Sequence, residues 1–236
     1  LGYYNSGAED EKPLKRNATI FDRFSRIRGR ERKESIPFIS RYLIRNRCLR
    51  DASRLNIESR FLSHTLSSPI AIAPSAMHRM AHPDGEISTI RAAKSSGTLM
   101  TLSSWTTTSL EDIAKEAVGH PIWYQFTVYR DRALNSSILR RAEAAGFSAV
   151  VVSVDFPVLG RRHIDTRNRF TLPDHLKIAN LTEHASRVLP EADSARFVKY
   201  MAGQIDPSLT WNDLLELTRE THLPVIVKGI VRGDDA

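Results

Sequence analysis

Residues 122–154 read IWYQFTVYRDRALNSSILRRAEAAGFSAVVVSV, and their patterning decides the fold class. Ile122 to Phe126 is an apolar run of strand length. Asp131 to Ala145 sets Leu134, Ile138, Leu139 and Ala142 on one helical face, with Gly146 at its end. Ala149 to Val154 is continuously apolar and rich in β-branched residues, as a strand buried on both faces requires. Strand, helix and strand in about 30 residues make a βαβ unit.

The same alternation continues on both sides. Upstream, Pro69 to Ala73 reads as a buried strand, and Pro83 to Ser96 as a helix with Ile87, Ile90 and Ala93 on one face and Gly97 as its stop. Thr98 to Thr101 is a second strand, and Ser109 to Ala117 a second helix, opened by Ser109 and Asp112 at the spacing of a capping box. Downstream, Thr210 to Thr221 is a helix with Thr210 and Asp213 at capping spacing, and Leu223 to Ile230 is the last strand. Five strands and four helices in alternation predict an α/β fold with a parallel sheet, either doubly wound or a (β/α) barrel. Ala71, Leu99, Tyr124, Val152 and Val227 are expected on five adjacent parallel strands. Residues 1–67 lack the alternation and form an irregular or helical entry segment, which leaves residues 68–236 as the strand–helix region. Residues 156–209 form a long connection with helix-capable pieces at Thr182–Leu189 and Ala195–Ala202; long connections of this kind carry lids or mobile segments.

The net charge of +7 is concentrated. Arg23 to Arg60 alone carries a balance of +8 and the rest of the chain is close to neutral. Aromatic residues are not interleaved with these charges as a stacking surface for nucleic acid would need, so a solvated basic face is the expected reading. No apolar run approaches the length of a membrane span, and no secretory leader opens the sequence. A single cysteine, Cys48, excludes an internal disulfide and suits a reducing compartment. A glycine-rich phosphate loop and a G-x-S-x-G elbow are absent, which counts against nucleotide hydrolysis and serine hydrolysis. His78 and His82 stand four apart, but Pro83 follows and no glutamate lies between them, so no metal site is expected.

In parallel α/β folds chemistry gathers at the carboxyl ends of the strands. Those ends here are chemically loaded: Pro74, Ser75 and Ala76; Ser103 and Trp105; Gln125; Ser153 and Asp155; and Lys228. Lys228 interrupts an apolar run and must reach a polar site, because an unpaired buried ammonium is costly. Gln125 and Ser103 are uncharged hydrogen-bonding groups of the kind a neutral heterocycle edge needs. Arg161 and Arg162 follow the fourth strand; a guanidinium there can clamp a carboxylate or form a surface ion pair.

Several blocks resemble the FMN-dependent 2-hydroxy acid oxidase and dehydrogenase family. They are Tyr3 to Asp10, Ile72 to Met77, Ala81 to Glu86, Thr101 to Trp105, Val154 to Arg162, Gln204 to Trp211 and Leu223 to Gly229, in order from end to end of the chain. The resemblance implies a TIM barrel, of which this chain holds the first five strands, and FMN at its mouth. It implies that Pro74, Ser75 and Ala76 line the flavin with backbone groups, that Ser103, Gln125 and Ser153 hydrogen-bond its ring system, and that Lys228 faces the side that becomes anionic on reduction. Tyr3 and Arg162 would hold the substrate carboxylate and Trp105 would wall the pocket toward small, glycolate-like acids. Asp155 would orient the family's catalytic histidine. The family usually carries a substrate-binding tyrosine two residues after the glutamine; Thr127 stands there, which leaves that contact in question and the pocket roomier.

The activity so implied is oxidation of small (S)-2-hydroxy acids to 2-oxo acids, with O2 reoxidising the flavin to H2O2. A homo-oligomer in the complete enzyme and a peroxisomal or cytoplasmic location come with it. The family's histidine, a second arginine and the phosphate loops belong to later strands, beyond Ala236. The expectation is therefore a partial barrel with its first and fifth strands as open edges. A catalytically silent fragment is the alternative, and nucleic-acid binding through residues 23–60 a third reading.

Overall fold

The structure, a computed structural model, describes residues 2–5, 7, 11–12, 48–188 and 194–236. Most of the basic segment, residues 23–47, lies outside the described residues, as does Leu189 of the first helix-capable piece. The chain divides into two compact units: residues 1–56 with 160–170, and residues 57–159 with 171–236.

The larger unit is built on a five-stranded sheet in the order β3-β4-β5-β6-β7, every neighbouring pair parallel. Its strands are β3 (Ala71–Ile72), β4 (Leu99–Leu102), β5 (Ile122–Phe126), β6 (Ala149–Ser153) and β7 (Val225–Lys228). All five residues expected on adjacent strands lie on them. The sheet is crossed by helices α2 (Gly85–Ser96), α3 (Leu110–Glu116), α4 (Arg132–Ala144) and α8 (Trp211–Glu220), counting Gly2–Asn5 of the smaller unit as α1. The parallel sheet with its covering helices is a partial α/β barrel.

β6 is buried along its whole length. Leu134, Ile138, Leu139 and Ala142 of α4 are buried with it, as their spacing requires. Asp131 caps α4 by accepting from the amides of Ala133 and Leu134. Ser109 caps α3 through the Asp112 amide. Thr210 and Asp213 form a complete capping box on α8.

Three expectations are corrected. The strand read as buried, Pro69 to Ala73, shrinks to two residues on an open edge. Pro69 has no amide to donate, Ile70 is 70% exposed, and among the described residues β4 is the strand's one partner. The helix expected from Pro83 starts at Gly85, whose positive φ of 51° turns the chain so tightly that an added Cβ would meet Arg79 Cγ at 2.5 Å. Its buried face is Glu86, Ile90 and Ala93, with Ile87 half-exposed. The entry region also contains an unforeseen antiparallel hairpin, β1 (Ser59–Phe61) with β2 (His64–Leu66), turned by Leu62 at φ 52°.

The long connection holds α5 (His163–Arg167), α6 (Thr182–Val188) and α7 (Ser194–Gly203). It returns beside the end of β5. Ile205 bridges Tyr129, the Asp206 amide donates to the Val128 carbonyl at 3.0 Å, and Arg132 donates to the Asp206 carboxylate at 2.6 Å. Among the described residues no helix is long and apolar enough to cross a membrane.

Candidate functional site

Register places the expected residues. Thr101 pairs with Trp123, Gln125 with Val151, and Ser153 with Lys228. Side chains alternate along a strand, so Ser103, Gln125, Ser153 and Lys228 project to one face at the carboxyl ends of four successive strands. Four polar residues dispersed over 126 positions of sequence are thereby brought together.

Gln125 is the centre of a buried, uncharged network. Its Oε1 accepts from the Ser104 amide at 3.1 Å and from the Ser104 hydroxyl at 3.2 Å, with the Ser103 hydroxyl at 3.5 Å. Its Nε2 donates to the hydroxyls of Ser153 at 3.1 Å and Thr127 at 3.2 Å. A backbone amide can only donate, so the carbonyl end must face Ser104, and this fixes which way round the side-chain amide lies. Ser103 Oγ also accepts from the Trp105 amide at 3.1 Å, which turns the chain out of β4. The buried Tyr129 phenol sits beside Ser104, Trp105 and Thr127 without a well-aligned partner among the described residues. Burial raises its pKa far above the ordinary value, so it stays protonated.

Lys228 pairs with Asp155 at 3.3 Å, both about 40% exposed. Asp155 thus sits next to the cation. Gly229 follows with φ 118°; a Cβ there would meet Asp155 Cβ at 2.5 Å and the Asp155 amide nitrogen at 3.0 Å. A cavity of about 420 Å³ opens at these strand ends. Thr127, Ser153, Phe156, Gly229, Pro207 and Trp211 are among the residues that line it.

Pro74, Ser75 and Ala76 continue from β3, with Ser75 exposed. The next amide, Met77, donates to the Trp105 carbonyl at 3.1 Å, tying the β3 loop to the β4 loop. The tie is completed by Glu86, which the sequence reading gave no role. Its carboxylate is fully buried and accepts from the amides of His78 and Thr107 and the hydroxyls of Thr107 and Thr108, all at 2.8–3.0 Å. Burial alone would raise its pKa, but the Thr107 and Thr108 donors hold it below the ordinary carboxylate value. The signal was present in the sequence: Glu86, Ile90 and Ala93 fall at i, i+4 and i+7, the spacing of one face. Ser104, the other missed residue, gave no such signal.

The smaller unit holds the remaining two candidates. The Arg162 guanidinium lies 4.6 Å from the centre of the Tyr3 ring, donates to the Tyr3 carbonyl, and pairs with Asp165 at 3.0 Å. Phe170 stacks on the Tyr3 ring, centroids 4.9 Å apart. Burial raises the Tyr3 phenol against the opposing pull of Arg162. The structure therefore brings Tyr3 and Arg162 into contact although 159 positions separate them.

Thr127 stands at the strand-end cavity within reach of the buried network. It is 1% exposed, and its hydroxyl is 2.8 Å from Ser104 Oγ while accepting from Gln125. It joins the buried network and also lines the cavity at the strand ends. His78 and His82 also part: His78 Nδ1 is 3.0 Å from Thr89 Oγ1, and His82 Nδ1 accepts from the Asp84 amide at 3.2 Å. Among the described residues no three His, Cys, Asp or Glu side chains converge as metal ligands would.

A sequence-family model described as FMN-dependent dehydrogenase matches residues 1–236. Glycolate oxidase 1 of Oryza sativa subsp. indica is 43% identical over 234 residues, covering 99% of this chain and 58% of its own length. Glycolate oxidase of Spinacia oleracea is 42% identical over 234 residues with the same coverage. Among solved structures, a mandelate oxidase superposes with a TM-score of 0.77 at 31% identity, covering 99% of this chain and 58% of that one. The chain thus spans somewhat over half the length of the relatives it matches.

Proposed function

Because the chain belongs to the FMN-dependent dehydrogenase family, we propose that the full-length protein oxidises small (S)-2-hydroxy acids, of glycolate type, to 2-oxo acids with O2 as the final acceptor and H2O2 as product. The observation that carries this reading is the buried Ser103–Gln125–Ser153 network with Lys228 on the same face of the sheet.

The residues fit the cofactor. A flavin's pyrimidine edge offers neutral donors and acceptors, and the set facing it is neutral hydroxyl and amide with one cation beside it. When bound, FMN supplies the two-electron acceptor for the substrate's α-hydrogen. Ser103, Gln125 and Ser153 are assigned to hold the ring edge, and the backbone of Pro74, Ser75 and Ala76 to flank it. Lys228 supplies a fixed positive charge where negative charge develops, which costs no reorganisation at the moment of reaction. Asp155, paired with it, keeps the ammonium in place until a ligand competes. Arg162 and Tyr3 are assigned to the substrate carboxylate, and Trp105 to limiting the size of the acid. The proposed homo-oligomer and the peroxisomal or cytoplasmic location rest on the resemblance alone.

The test is on the purified full-length protein. It should carry flavin absorbance in the visible and release peroxide with glycolate. Lys228→Met should lower the rate of anaerobic flavin reduction by about 100-fold, the scale for losing one preorganised charge-stabilising donor. A colourless protein that takes up no FMN on titration would overturn the reading.

A further inference from the structure

Resting on that reading, we infer that Thr127 is a positioning residue: it acts on the cofactor edge through Gln125 and makes no contact with the substrate. The geometry is a three-point lock on one amide. The Ser104 amide fixes the carbonyl end of Gln125 at 3.1 Å. The two hydrogens of Nε2 then have two acceptors, Ser153 at 3.1 Å and Thr127 at 3.2 Å. Ser153 ends β6, on the face of the sheet shared with Lys228. Thr127 is 1% exposed and has Ser104 Oγ 2.8 Å away, although its small accessible remainder lines the cavity.

A glutamine side chain has freedom about χ3; Ser104 restrains its carbonyl end and Ser153 takes one of the two Nε2 hydrogens. The Thr127 hydroxyl supplies the opposing restraint, accepting from Gln125 while bonded to Ser104. A cyclic arrangement Gln125–Thr127–Ser104–Gln125 results, and a ring of this kind holds its members in one orientation more firmly than single bonds do. The amide is thereby oriented before the ligand arrives, and its bond to Ser153 is the one it can exchange for the heterocycle edge. Ser104 Oγ gives its one proton to Gln125 Oε1, so the Thr127 proton goes to Ser104 Oγ and none is left for a substrate carboxylate, which is read by other residues.

The experiment uses the full-length protein and four forms: wild type, Thr127→Val, Thr127→Ser and Gln125→Leu, with the Thr127→Val/Gln125→Leu double variant completing the cycle. FMN affinity is read by quenching of flavin fluorescence, the flavin environment by its visible absorbance maximum, and KM for glycolate at saturating FMN. Thr127→Val is expected to weaken FMN about 10-fold and to move the absorbance maximum, Thr127→Ser to restore both, and KM to stay within about twofold throughout. In the Gln125→Leu background the valine should have no further effect on FMN affinity, because its path of action is gone. Should Thr127→Val not fold, Thr127→Ala takes its place in the same cycle. A tenfold rise in KM with unchanged FMN affinity would make Thr127 a substrate contact and overturn the inference. Additive losses in the cycle would overturn it as well. Failure of the wild type to take up FMN would remove the parent reading and this inference with it, whereas wild-type uptake with Thr127→Val unaltered removes the inference alone.

Discussion

Glu86→Ala is expected to cost about 3–5 kcal/mol of folding stability, read as the shift of a urea-unfolding midpoint at pH 7. The carboxylate is fully buried and takes four donors. The hydroxyls of Thr107 and Thr108 can turn to other acceptors, but the amides of His78 and Thr107 cannot. Each buried donor left unmatched costs about 1–3 kcal/mol. Glu86 also sits in the first turn of α2, where its charge complements the helix dipole. The pH dependence has a definite sign. The folded-state pKa is lowered, so the contribution is fully present above the unfolded value near 4.5 and is lost as pH falls through the folded one. Glu86→Gln should therefore flatten the stability curve below about pH 4.5 relative to wild type. A loss under 1 kcal/mol for the alanine variant would mean that water replaces the carboxylate without penalty.

Gly229→Ala is expected to destabilise by about 3 kcal/mol, as strain at a positive φ adds to overpacking. The added methyl would stand 2.5 Å from Asp155 Cβ and 3.0 Å from its backbone nitrogen. Either Asp155 moves away from Lys228 or the strand end bends. The two causes separate in a second background. Asp155→Gly removes the side-chain clash, so the alanine penalty should fall to the backbone share, about half. Equal thermal shifts in both backgrounds would show that the close approach to Asp155 carries none of the cost.

What could be read from sequence was what has a period or a chemical stop. β5, α4 and β6 emerged within a residue of their bounds because Asp131 and Gly146 mark the helix ends and the apolar runs have strand length. The β1–β2 hairpin escaped because its strands are three residues long and its turn uses Leu62, with no Gly, Asn or Asp to announce a positive φ. α2 shows the limit of hydrophobicity as a guide: Glu86 occupies a buried-face position, and a carboxylate there reads as solvent-facing unless its four donors are known. The strand-end residues were legible as a set, since polar residues closing apolar runs stand out. Their wiring was not. Nothing in the order Gln125, Phe126, Thr127 says that the threonine turns back onto the glutamine, nor that Ser104 outranks Ser103 as its partner. Tyr3 and Arg162 were joined only by resemblance; no local pattern connects residues so far apart.

The spacing of the strands in sequence sets the order in which the sheet can close. β3 to β6 are joined by crossovers of about 20–30 residues, but Val150 waits for Val225, about 75 residues later. Closing the longer loop costs only about 1 kcal/mol more, so the delay is less a matter of stability than of time. On refolding, the amide of Val151, which strand alternation directs at β5, should gain protection from hydrogen exchange before that of Val152, which it directs at β7; simultaneous protection would remove this ordering. During synthesis at about 5–20 residues per second, some 4–15 s pass between the emergence of β6 and that of β7. Through that interval the nascent chain presents Ala149–Ser153, its most apolar strand, as an unpaired edge. That edge is the point at which a chaperone has most to protect, and its shield, β7, leaves the ribosome about 75 residues after it.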